Sequence, residues 1–162
     1  MPRDYPDSDG SMNEGDTIEL RPGLTKTVLA KGNGTYPKEG EMCCIRYTGK
    51  LDDGTVFDST KGKKPLKFRL GMIEVIKGME VAVATMAVGE RAIVHIPPNY
   101  GYGDRGQGII IPNSELTFEI ELVEAYDDTF SKLKWQILGF IIFALFMVVL
   151  VPRLQPEYHH RK

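Results

Sequence analysis

Seventeen consecutive residues without a charge, 135–151 (WQILGFIIFALFMVVLV), form either a membrane-spanning helix or a core helix buried in an oligomer. As a helix rising about 1.5 Å per residue, the run is roughly 25 Å long. That is short for a bilayer core of about 30 Å, yet inside the spanning range. A helix buried in a water-soluble core normally keeps a polar stripe, and this run has only Gln136. Lys132 and Lys134 flank one side, and Arg153, Arg161 and Lys162 the other. Trp135 and Tyr158 stand where interfacial aromatics belong. The run therefore reads as one transmembrane helix over 135–151, stopped by Pro152, with the lipid bilayer as its partner. The short stretch 127–134 reads as a linker, and 152–162 as a basic tail. No signal-type apolar stretch lies near the first residue, and 11 residues follow the run. The expectation is a tail-anchored, single-pass protein with its folded domain in the cytosol. A short helix with a basic tail suits a thin bilayer, either endoplasmic reticulum or mitochondrial outer membrane. Both flanks are basic, so the positive-inside rule leaves orientation open.

Charge sorts the rest. Residues 1–20 hold six acids and one base, whereas residues 132–162 hold five bases and one acid. The stretch 1–16, rich in Asp, Ser, Gly and Pro, has almost nothing to bury and reads as a disordered acidic tail. A formal net charge of −2 gives no basic surplus for nucleic acid. Two cysteines cannot build a disulfide framework, and three histidines leave little for a metal site. Neither a metal nor a cofactor is expected.

Between the ends lies one domain, 17–126. Thirteen of the 17 glycines fall between Gly32 and Gly108, which reads as short strands joined by many turns. In 116–124, Leu116, Phe118, Ile120 and Leu122 alternate with Thr117, Glu119 and Glu121, a strand with one buried face. In 91–96, Ala92, Val94 and Ile96 do the same. Residues 41–48 and 26–30 are further strand candidates, and Asp53-Gly54 is a turn before 55–58. Met79, Ala82, Val83 and Met86 are spaced i, i+3, i+4, i+7, an apolar stripe on a helix over 77–86, with Gly89 placed to end it. The class is α+β: antiparallel strands with one short helix packed across them.

Several motifs fail on context. Gly101-Tyr-Gly103-Asp-Arg-Gly106 matches G-x-G-x-x-G, but Pro97-Pro98 precede it and Ile109-Ile-Ile-Pro112 follow it. A dinucleotide site needs a strand before and a helix after. Cys43 and Cys44 are adjacent on a strand and face opposite sides, which suits a structural role. His95 reads as a surface or edge side chain. Asn33-Gly34-Thr35 is a glycosylation sequon that matters only to a lumenal domain, where the chain would be a lumenal foldase. Otherwise it is an Asn-Gly turn.

One set of side chains remains, apolar and spread over several segments: Tyr47, Phe57, Asp58, Phe68, Val75, Ile76, Tyr102, Ile110, Ile111 and Phe118. The phrases YTGKLDDGTVFDST, EVIKGMEVAVATMAVGERA, IPPNYGYG and LTFEIELVE, in this order, resemble the FKBP-type peptidyl-prolyl isomerases, the immunophilins that bind tacrolimus and rapamycin. The resemblance runs from about Thr25 to Ala125. It implies a curved antiparallel sheet wrapped around one helix, and a pocket between them that isomerises X-Pro bonds. By that resemblance Tyr102 donates to an amide carbonyl, the Ile76 N–H binds a second carbonyl, Asp58 is the pocket acid and Tyr47 its neighbour. Phe57, Phe68, Val75, Ile110, Ile111 and Phe118 would be walls, although Phe68 and Phe118 taken singly also suit plain core packing.

Three departures bear on activity. Met79 stands where the family usually has a tryptophan floor. Met fills space but is flexible and lacks a flat aromatic face. Weaker macrolide binding and lower activity are expected. Leu66 replaces a common phenylalanine, and Gln107 a frequent histidine. The loop STKGKKP after Asp58 and the segment after Pro112 each look one residue short. The basic run Lys61, Lys63, Lys64, Lys67 and Arg69 reads as a solvated loop, with an acidic partner or lipid headgroups as the alternative. Eight linking residues reach at most about 28 Å, leaving no room for the helical-repeat module of larger anchored immunophilins. Two functions follow: a membrane-anchored isomerase of proline-containing proteins, or a weakly catalytic binding module serving as accessory subunit of a membrane protein complex.

Overall fold

The computed structural model describes residues 13–128 and 137–144, and the chain divides into two units after Tyr126. Among its described residues the first unit holds seven strands and one α-helix. The strands are β1 (Thr17–Arg21), β2 (Leu24–Ala30), β3 (Met42–Leu51), β4 (Val56–Ser59), β5 (Leu66–Arg69), β6 (Arg91–Ile96) and β7 (Leu116–Tyr126). The helix α1 spans Lys77–Val83, and a 3₁₀ turn spans Pro98–Tyr100. All pairings are antiparallel, in the order β1-β2-β6-β7-β3-β4, with β5 also on β3.

Alternation builds the inner face. Leu116, Phe118, Ile120 and Leu122 of β7 are buried, as are Ala92, Val94 and Ile96 of β6. Register sets them in rows: Gly49 of β3 and Val94 of β6 flank Phe118, while Tyr47 and Ala92 flank Ile120. Met79, Ala82, Val83 and Met86 are buried against this face. The helix comes close because residue 78 has no side chain: a Cβ on Gly78 would sit 2.5 Å from Ile96 Cγ2.

The expected helix over 77–86 is shorter than its apolar stripe. It stops at Val83, and Ala84–Met86 continue as tight turns closed by Thr85 N–H to Ala82 O and Met86 N–H to Val83 O. Periodicity reports which side chains are buried, and a turn can keep Met86 on the same face. Gly89 (φ 85°) does not end the helix; it turns the chain into β6 and donates to Leu122 O at 2.7 Å.

β2 contains a reversal of the usual rule. Lys26 lies on the inner face between Leu24 and Val28 and has no solvent exposure. Its Nζ donates to Glu90 Oε1 and to Thr85 O, both at 2.8 Å. Glu90 Oε2 in turn accepts the Ala87 N–H at 2.8 Å. Two buried charges thus staple β2 to the turns after α1, each hydrogen-bonded to more than one partner. Cys43 belongs to the core, and burial raises its thiol pKa to about 11.

Residues 13–16, the described end of the acidic stretch 1–16, are tied to β2 by Gly15 N–H to Val28 O and Val28 N–H to Asp16 O. The expected span 135–151 lies mostly outside the described residues. Within it, residues 137–144 are helical, and Ile137, Leu138, Phe140, Ile141, Ile142 and Phe143 are all exposed. Among the described residues no helix is long and apolar enough to cross a membrane.

Candidate active site

Between α1 and the inner face of the sheet opens a cavity of about 380 Å³. Tyr47, Phe57, Asp58, Leu66, Val75, Ile76, Met79, Tyr102 and Phe118 line it, with Ile73 and Glu74 at the loop before α1. Strand register explains the grouping. Phe118 sits opposite Gly49, and the absent side chain there admits the aromatic rings. A Cβ on Gly49 would fall 2.7 Å from Phe57 Cζ and 2.8 Å from Phe118 Cε1. Phe57 meets Phe118 edge-on at 5.5 Å between centroids, and Tyr47 meets it tilted at 5.9 Å. Both separations lie in the range that favours aromatic pairs.

Polar groups share the lining with these rings. The Tyr47 hydroxyl donates to Asp58 Oδ2, and the Ser59 N–H donates to Asp58 Oδ1 at 2.8 Å. The carboxylate is thereby fixed on the cavity wall. Burial raises the pKa of the Tyr47 phenol well above its ordinary value, and its hydrogen bond to Asp58 pushes the same way. Burial and then the Asp58 charge also raise that of Tyr102. Phenols are protonated donors at neutral pH in any case, and both shifts act in that same direction. Among the described residues, neither the Tyr102 hydroxyl nor the Ile76 N–H has an acceptor. Among the same residues no His, Cys, Asp and Glu side chains group as a metal site.

The structure gathers eight of the eleven expected site residues around one cavity: Tyr47, Phe57, Asp58, Val75, Ile76, Met79, Tyr102 and Phe118. It places the other three elsewhere. Phe68 is buried in the core, as is Ile110, while Ile111 is 70% exposed, and none of them lines the cavity. Phe68 points inward because it pairs with Cys43, a core position on β3. Ile73 and Glu74 were missed. They directly precede Val75-Ile76, and their adjacency was the available signal. A larger depression of about 530 Å³ lies on the outer face, lined by Arg46, Lys61, Arg91, Glu119 and Glu121 among others. Its walls are of mixed charge and offer no bed for an apolar ring.

The model of the FKBP-type peptidyl-prolyl cis-trans isomerase family matches residues 33–123. This chain belongs to that family. The isomerase domain is 49% identical over 105 residues to the peptidyl-prolyl cis-trans isomerase Fkbp12 of Drosophila melanogaster, covering 63% of this chain and 97% of that protein. It is 45% identical over 104 residues to the FK506-binding protein 1A of Aspergillus fumigatus, covering 62% of this chain and 93% of that one. The crystal structure of the three FKBP domains of wheat FKBP73 superposes with a TM-score of 0.62 at 38% identity, over 64% of this chain and 46% of that chain. The chain is thus an FKBP-type peptidyl-prolyl cis-trans isomerase, and the cavity under α1 is where its geometry suits that reaction.

Proposed function

We propose that this isomerase works on X-Pro segments of proteins close to a bilayer, to which residues 135–151 tether it. The catalytic half rests on one observation. Among the described residues, two donors without acceptors, the Tyr102 hydroxyl and the Ile76 N–H, share with a braced carboxylate a cavity walled by Phe57, Val75, Met79 and Phe118. Rotation about an amide is slow because it breaks resonance, with a barrier of about 18–20 kcal/mol. The twisted amide is less polar than the planar one, so an apolar site favours it. Phe57, Val75, Ile76, Met79 and Phe118 grip the proline ring, while Tyr102 and Ile76 hold carbonyls on either side of the turning bond. Asp58 acts at one remove: it accepts from the Tyr47 hydroxyl and so orients it. No nucleophile is required.

Met79 tunes this site. It is 4% exposed and lines the cavity. A flexible thioether grips a ring less firmly than a flat indole, so turnover and binding of tacrolimus or rapamycin are reduced. This same residue supports a second reading, a domain that holds a proline segment within a membrane complex without turning it.

The tether rests on the uncharged run and on the exposed apolar helix within it. Six large apolar side chains in residues 137–144 are costly in water and suit lipid. Expressed in cells, the full chain should sediment with membranes and resist carbonate extraction. Deletion of residues 135–151 should leave it in the supernatant. Equal extraction of both forms would refute the tether and leave the catalytic reading intact.

A further inference from the structure

Two residues other than glycine have positive φ among the described residues, Asn113 (61°) and Ile73 (57°). Asparagine tolerates this region, whereas a β-branched residue there is a genuine outlier. Such strain persists only where the surroundings impose it, and an observed outlier points toward function rather than the reverse. Burial does not account for Ile73. Its side chain is 82% exposed, so the strain returns no packing.

The loop around it is firmly held. Met72 N–H closes a turn on Arg69 O at 3.2 Å. The carboxylate of Glu80, one turn into α1, accepts the Gly71 N–H at 2.6 Å and the Ile73 N–H at 3.4 Å. Glu74 Oε2 accepts the Arg69 N–H at 2.8 Å. Two acidic side chains thus set the backbone that presents Ile73, and Ile73 lines the cavity beside Val75 and Ile76.

We infer that Ile73 is a specificity-determining residue. It is a strained apolar lip that contacts an apolar side chain flanking the proline when a substrate enters. The inference rests on the cavity being the X-Pro site. It adds a contact outside the ring pocket and a reason for the cost of this loop. The lip is preset in the free protein, so its selectivity requires no closure of the loop.

The test uses the full chain in detergent, two pairs of X-Pro peptides and the variants Ile73→Asn and Ile73→Leu. One pair carries Leu or Glu before the proline, the other Leu or Glu after it. Exchange rates give kcat/KM, and titration gives affinity even where a peptide binds without turnover. The wild type should favour the Leu peptide of at least one pair by about tenfold, the scale of a modest apolar contact. Ile73→Asn should cut that ratio by about fivefold or more, in rate or in affinity, and Ile73→Leu should restore most of it. Ile73→Asn should also raise the thermal midpoint, because Asn accepts φ near 57°. A more stable variant with lost selectivity separates a recognition role from a structural one. If both ratios stay unchanged in Ile73→Asn, the inference is overturned. If no peptide is bound or turned over by any form, the cavity itself has been misread and the inference falls with it.

Discussion

Gly49 shows how much one missing side chain decides. It lies opposite Phe118, and its hydrogen is the only substituent that fits against the Phe57 and Phe118 rings. Gly49→Ala should destabilise the domain by about 1–3 kcal/mol, as overpacking does, measured by urea unfolding. Its isomerase activity should fall further than its stability, because the displaced rings are cavity walls. Tyr102→Phe removes a donor and little volume. It should lower kcat/KM about three- to tenfold, the scale of one hydrogen bond, with the unfolding midpoint nearly unchanged. Tyr47 carries a pH signature. Its folded pKa is raised above that of the unfolded chain, so its stabilising contribution is complete below the ordinary phenol value of 10.0. That contribution drains away as pH rises through the folded value. Subtracting the curve of Tyr47→Phe should isolate this loss, and a difference flat up to strong alkali would contradict the assignment. Ile73 was illegible at this scale, since a residue's φ is set by the loop around it and not by its own letter.

Elements turn on the Lys26–Glu90 pair. Removing one partner leaves a buried charge alone and should cost about 3–5 kcal/mol in Lys26→Met or Glu90→Ala, read by chemical denaturation. A loss below about 1 kcal/mol in both would mean that water replaces the pair. This staple was hidden in the sequence because lysine is read as a surface residue, even where strand alternation puts Lys26 on the face of Leu24 and Val28. Elements with long alternation were legible. Strand β6 occupies residues 91–96 as its pattern requires, and β7 begins at Leu116 as expected and runs two residues further. Strands β1 and β5 were not, since five and four residues are too few for a period to stand out. Missing β5 also misplaced Phe68, whose pairing with Cys43 turns it into the core. The site was legible mainly through word order, the succession of short phrases that resembles the FKBP-type isomerases. Which aromatics face the cavity and which face the core had to come from register.

At the scale of the whole molecule, a small enzyme domain is followed by an uncharged run, residues 135–151, of which 137–144 are helical. The aligned stretches of 105 and 104 residues cover 97% and 93% of these two curated relatives, and the rest of this chain lies outside the alignments. The proposed tether concerns where the enzyme meets proline segments, and the cavity concerns how fast it turns them. The two can be separated by experiment. The central claim concerns the cavity, and its most direct test is cis–trans exchange of an X-Pro peptide by residues 13–128, with and without Met79→Trp. The account predicts clear acceleration by the unaltered domain, blocked by tacrolimus, and a faster, tighter-binding Met79→Trp. Acceleration by neither form, in domains shown to be folded, would contradict it.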